Sequence, residues 1–89
     1  MMDPFQITIF TRDGCCLCDD VKERVERVAQ DIPIQLHLFD ITTDPDIYEK
    51  YKWLIPVVHI DGEEAFVSKM AELWLRRELN ARMQKHTSS

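Results

Sequence analysis

Thr11-Arg12-Asp13-Gly14-Cys15-Cys16-Leu17-Cys18 holds every cysteine of the chain and divides two kinds of periodicity. Before it, Phe5-Gln6-Ile7-Thr8-Ile9-Phe10-Thr11 alternates and is rich in β-branched and aromatic residues, which predicts a strand. After it, Leu17, Val21, Val25, Val28, Ala29 and Ile32 recur at helical spacing, which predicts an amphipathic helix from Cys16 to the stop at Pro33. Gly14 supplies backbone freedom for the turn between them. The unit is therefore strand, turn, then a helix that opens on cysteines.

Cys15 and Cys18 are three apart. In a first helical turn that spacing brings Cα atoms to roughly 5–6 Å, within disulfide reach. A helix N-terminus also offers free N–H groups and a partial positive charge, which favour a thiolate. Arg12 adds to that field, whereas Asp13, Asp19 and Asp20 oppose it. Cys15 precedes the helix and is expected to be exposed. Cys18 falls on the edge of the apolar stripe and is expected to be buried. An exposed attacking sulfur beside a buried resolving one is the arrangement that thiol-disulfide exchange needs.

Bulk properties narrow the context. Eighty-nine residues make one small domain, expected over residues 1–82, with a patternless tail over 83–89. A net charge of −5 argues against nucleic acid or an anionic membrane as the main partner. No apolar run approaches a membrane span, and Met1-Met2-Asp3-Pro4 does not read as a secretory signal. Three clustered cysteines are unlike the scattered even number of a disulfide framework. The expectation is a cytoplasmic monomer whose thiols turn over.

The rest of the chain predicts further elements. Ile34 to Asp40 alternates as a second strand. Asp44-Pro45 suits an N-cap followed by a first helical residue, starting a short helix to about Tyr51. Leu54 to Ile60 reads as a third strand entered through Pro56. Asp61-Gly62 marks a hairpin turn into an edge strand from Glu63 to Val67. Ser68 is the predicted N-cap of a last helix. That helix carries Met70, Leu73, Trp74 and Arg77 in one row and Ala71, Leu75 and Leu79 in the next, with Trp74 assigned to the core. The order β-α-β-α-β-β-α predicts an α/β fold. Its first two strands are parallel, its last two form a hairpin, and helices cover both faces of a four-stranded mixed sheet.

With these residues in place, the chain resembles a glutaredoxin of the thioredoxin-like superfamily. The matching features are the strand Ile7 to Thr11, Gly14-Cys15-x-x-Cys18 opening a helix, Ile55-Pro56-Val57-Val58, and Asp61-Gly62. Small, mostly bacterial glutaredoxin-like proteins share the Cys-x-Leu-Cys site and a segment similar to Asp44 through Tyr51. The resemblance spans Phe5 to about Leu79. It implies that Cys15 is the nucleophile and Cys18 the resolving thiol, and that Pro56 is cis and faces the pair. It also implies that the Ile55 backbone pairs with a bound peptide or glutathione. The activity implied is reduction of protein or glutathione mixed disulfides, with no bound cofactor and with glutathione as a possible co-substrate. Several family features are replaced. Cys16-Leu17 stands for Pro-Tyr between the cysteines, Arg12-Asp13-Gly14 for Lys-Pro-Gly, and the Gly-Gly motif before the last helix is absent. Arg12, Ser68 and Lys69 are the residues left to hold substrate carboxylates.

Other readings stay open at this level. Cys15, Cys16 and Cys18 could form a metal or iron-sulfur carrier site, although a structural zinc site wants four ligands and His37, His59 and His86 lack matching spacing. A thioredoxin-fold binding module with vestigial cysteines is a third reading. Cys16 reads as a spectator, a second resolver or a soft ligand. Tyr48, Tyr51 and Trp53 either line a substrate groove or pack beneath the short helix, the latter favoured for Tyr51.

Overall fold

The computed structural model describes residues 3–87, with side chains described through Gln84. Its elements are β1 (Phe5–Thr11), α1 (Cys16–Val28), β2 (Ile34–Asp40), α2 (Pro45–Tyr51), β3 (Val57–Ile60), β4 (Glu63–Val67) and α3 (Glu72–Thr87), with a 3-10 turn at Ile41–Thr43. The sheet order is β2-β1-β3-β4. β1 and β2 are parallel, with Phe5 opposite Ile34 and Thr11 opposite Asp40. β3 is antiparallel to both β1 and β4, and an irregularity at Val58/His59 shifts the β4 register. The predicted α/β architecture is the observed one.

Each face of β1 carries its own core, because side chains alternate along a strand. Phe5, Ile7 and Ile9 pack with Val21, Val25 and Val28 of α1 and with Leu75 and Leu79 of α3. Phe10 points the other way, into a smaller cluster with Ile41, Tyr51 and Val57 under α2. Each fully buried aliphatic side chain contributes roughly 1.5–3 kcal/mol, so burial of Val21, Val25 and Val28 is a main contribution to holding α1 on the sheet.

Local chemistry sets the boundaries. Asp44 caps α2 by accepting from the N–H groups of Asp46 and Ile47 at 3.0 and 3.2 Å, with Pro45 following. Asp61 and Gly62 take positive φ of 50° and 86°, as a tight hairpin between right-twisted strands requires.

Four expectations need correction. The third strand begins at Val57 rather than Leu54, because the N–H groups of Leu54 and Ile55 bond back to the Tyr51 carbonyl and are lost to the sheet. Ser68 does not cap the last helix, which starts at Glu72. It sits at φ 71° and donates its hydroxyl to the Leu54 carbonyl at 3.1 Å. The apolar stripes of the helices are narrower than periodicity suggested: Leu17, Ala29, Leu73 and Trp74 all face outward. Finally, α3 continues through Met83, which packs on the larger core, to Thr87. Residues 88 and 89 of the predicted tail, and the side chain of His86, lie outside the described residues.

Candidate active site

The cysteines sit where β1 hands the chain to α1. Gly14 takes φ 81°, which turns the backbone sharply enough for Cys15 to become the N-cap of α1. The Cys15 carbonyl accepts from the Asp19 N–H at 3.3 Å, while its side chain makes no capping bond and is left for other work. Cys15 is half-buried, Cys16 exposed and Cys18 buried at 3% exposure, and all three are free thiols. The helical turn thus sorts the sulfurs by access, as expected from their spacing.

The Cys18 thiol is pushed up from 9.0 to about 11. Burial is the main cause, reinforced by the hydrogen bond with Cys15 and the charge of a Cys15 thiolate. The Thr11 side chain and the Arg12 backbone N–H oppose the rise by bonding to the Cys18 sulfur. Cys18 therefore holds its proton and can donate it toward Cys15. A thiol of this kind becomes a nucleophile only after losing its proton.

Cys18 also borders a cavity of about 210 Å³, lined by Thr11, Arg12, Lys22, Leu38 and Asp40 among others. The Asp40 carboxylate lies below its usual range because it accepts from the Thr42 hydroxyl and N–H, at 2.6 and 2.9 Å.

The remaining predicted site residues divide among different places. Arg12 is exposed and borders the Cys18 cavity. The Ile55–Pro56 peptide is cis, Ile55 is half-buried and Pro56 is buried. Ser68 is tied to this loop twice, through its hydroxyl to Leu54 and its N–H to the Pro56 carbonyl at 2.8 Å. Lys69 lines a separate groove with Leu17 and Trp74. Arg12 and Lys69 therefore do not share one binding concavity. Tyr51 is buried, with its hydroxyl between His59 Nε2 at 3.1 Å and Glu64 Oε1 at 3.2 Å, which is the packing role. Trp53 is 86% exposed, just before the Ile55–Pro56 bond.

Among the described residues, no group of three His, Cys, Asp or Glu side chains converges to hold a metal ion. The three cysteines differ in access, with Cys16 exposed, Cys15 half-buried and Cys18 buried, and do not form such a group. Thr11 and Lys22 escaped the sequence reading. Thr11 is an unremarked strand end, and Lys22 lies one turn beyond Cys18 on the same helix, a signal that helical spacing could have supplied.

Comparison with known proteins agrees with this architecture. A solved protein of Nitrosomonas europaea superposes with a TM-score of 0.77 at 15% identity, over 88% of this chain and 94% of that one. One from X. campestris gives 0.72 at 24% identity, over 84% and 96%. A thioredoxin variant from Halobacterium salinarum gives 0.66 at 18% identity, over 89% and 74%. At these identities the likeness concerns the fold, which is thioredoxin-like. The family profile described as Glutaredoxin-like domain (DUF836) matches residues 6–80, nearly the whole folded region. With a thioredoxin-like sheet, a helix opening on paired thiols and that match in sequence, the chain belongs to the glutaredoxin-like family.

Proposed function

We propose that this protein is a dithiol oxidoreductase that reduces disulfides, with Cys15 as nucleophile and Cys18 as resolving thiol. The family and fold support a thiol redox role in general. The observation that carries the specific assignment is the pair of free thiols of unequal access at the head of α1, Cys15 half-buried at the N-cap and Cys18 buried one turn on.

In the cycle, the Cys15 thiolate attacks one sulfur of a substrate disulfide. A Cys15–substrate disulfide forms, and the other substrate sulfur leaves as a thiolate and takes a proton. Cys18 loses its proton and attacks the Cys15 sulfur. The Cys15–Cys18 disulfide forms and the second substrate thiol departs reduced. Two electrons have passed from the cysteine pair to the substrate. An external thiol, glutathione or a reductase protein, returns them. No resident cofactor enters any step, and the setting we assign is the cytoplasm.

The direct test is equilibration of the protein in glutathione buffers of graded potential, followed by peptide mass mapping. The expected result is a reversible loss of two hydrogens, mapped to Cys15–Cys18, at a potential of roughly −180 to −270 mV. A Cys18→Ser variant should accumulate a mixed disulfide on Cys15. Absence of any reversible disulfide, or a bridge that uses Cys16 instead, would overturn the assignment.

A further inference from the structure

A second concavity opens against Leu17, the residue before Cys18. It is a groove of about 360 Å³ between Leu17 of α1 and the segment that leads into α3. Leu17 is 59% exposed and Trp74 45% exposed, and both line it, with buried Met70 beside them. Isolated exposed apolar side chains are ordinary. These two share one groove, and Leu17 stands between Cys15 and Cys18 in the chain.

The groove is also cationic. Arg24 and Lys69 line it. Arg24 Nη1 donates to the Met70 carbonyl at 3.2 Å, which fixes the guanidinium in place. Among the described residues, neither Arg24 nor Lys69 has a carboxylate partner. The acidic residue of the lining, Glu72, is already engaged by Arg27 at 3.7 Å and Arg76 at 3.2 Å. On a chain of net charge −5, this leaves two cations without a carboxylate partner among the described residues next to an apolar slot.

We infer that the groove seats an extended segment of a substrate protein, with a bulky apolar side chain between Leu17 and Trp74 and an acidic residue against Arg24 and Lys69. The inference rests on the oxidoreductase reading and narrows its substrate class. Glutathione satisfies only the charge half, because it carries carboxylates but no apolar side chain to cover Leu17 and Trp74. Protein disulfides flanked by apolar and acidic residues satisfy both, and a large aromatic beside a guanidinium is the usual anchor composition of a protein-binding patch.

The test uses synthetic peptides that carry one cysteine as a mixed disulfide with 2-mercaptoethanol. Leu and Glu are placed in turn at positions on either side of that cysteine. Controls replace Leu by Gly or Glu by Lys. Each kcat/KM is divided by the value for bis(2-hydroxyethyl) disulfide with the same enzyme. The best Leu-Glu peptide should exceed its Gly control about tenfold, the gain expected for burying much of one aliphatic side chain. Replacing Glu by Lys should cost a further several-fold at low salt, less at high salt. Trp74→Ala should abolish the Leu preference, and Lys69→Glu should reverse the charge preference. Equal ratios for all peptides, with the small disulfide still turned over, would overturn the inference alone. So would oxidised glutathione being turned over as well as the best peptide, with no change on Trp74→Ala. Failure to reduce even the small disulfide would sink the oxidoreductase reading and this inference together.

Discussion

In the proposed cycle, the buried thiol of Cys18 should set the pH dependence of the second chemical step. With its proton held to about 11, roughly one Cys18 in ten thousand is a thiolate at pH 7. Resolution of the mixed disulfide requires that thiolate, so its rate should rise about tenfold per pH unit, or about a hundredfold between pH 7 and pH 9. Burial, the largest cause of the shift, does not depend on Cys15, whereas the hydrogen bond and charge that Cys15 contributes end once it is joined to substrate. The assay is stopped-flow reaction of the reduced protein, in a Cys16→Ser background, with an aromatic disulfide that releases a coloured thiolate at each step. The first burst reports attack by Cys15, the second resolution by Cys18. The slope of the second phase should stay near one through pH 9. A second phase that levels off below about pH 8 would refute the reasoning, since Cys18 would then titrate no higher than an ordinary thiol. An equilibrium check has the same sign. The folded state holds the Cys18 proton more tightly than the unfolded state, so this group's contribution to stability is full below pH 9 and lost as pH rises toward 11. Subtracting the curve of Cys18→Ala isolates it.

Thr11→Val should slow the second burst about three- to tenfold and leave the first unchanged, because the Thr11 side chain favours the Cys18 thiolate. A valine variant that resolves at the normal rate would show that this contact is incidental. Cys16→Ser should retain disulfide turnover within about twofold, as Cys16 is exposed and outside the Cys15–Cys18 pair; steady-state reduction of bis(2-hydroxyethyl) disulfide checks this. Asp44→Ala removes an acceptor for two orphan N–H groups of α2 and should cost about 1 kcal/mol in urea unfolding, with the m-value unchanged.

Most of the fold was legible because it is written in short-range chemistry. A two-residue period with β-branched side chains marks β1 and β2 wherever they end up. Asp44-Pro45 can start a helix, and Asp61-Gly62 can turn a hairpin, from their own backbone preferences. The unequal access of Cys15 and Cys18 follows in the same way from three residues of helical rotation at the start of α1.

What the tertiary structure decided was which of several possible faces meets the sheet. Periodicity over the last helix offered two adjoining apolar rows, and Leu75 and Leu79 of one are buried together with Met70 of the other. Leu73 and Trp74 are left largely exposed, outside the core that α1, α3 and the sheet share. Leu17 is turned out for the same reason, since burying Cys18, Val21 and Val25 leaves it at the margin of the buried face of α1. Ser68 could have capped a helix by its chemistry, but the carbonyls of Leu54 and Pro56 lie within reach of it and claim it instead. The Thr11 side chain meets the Cys18 sulfur only because the turn at Gly14 folds α1 back over the end of β1. Local sequence thus determined the elements and the order of the sulfurs. Docking of helices on the sheet determined which apolar side chains were left free beside the cysteines, because a helix has more apolar positions than one sheet face can cover.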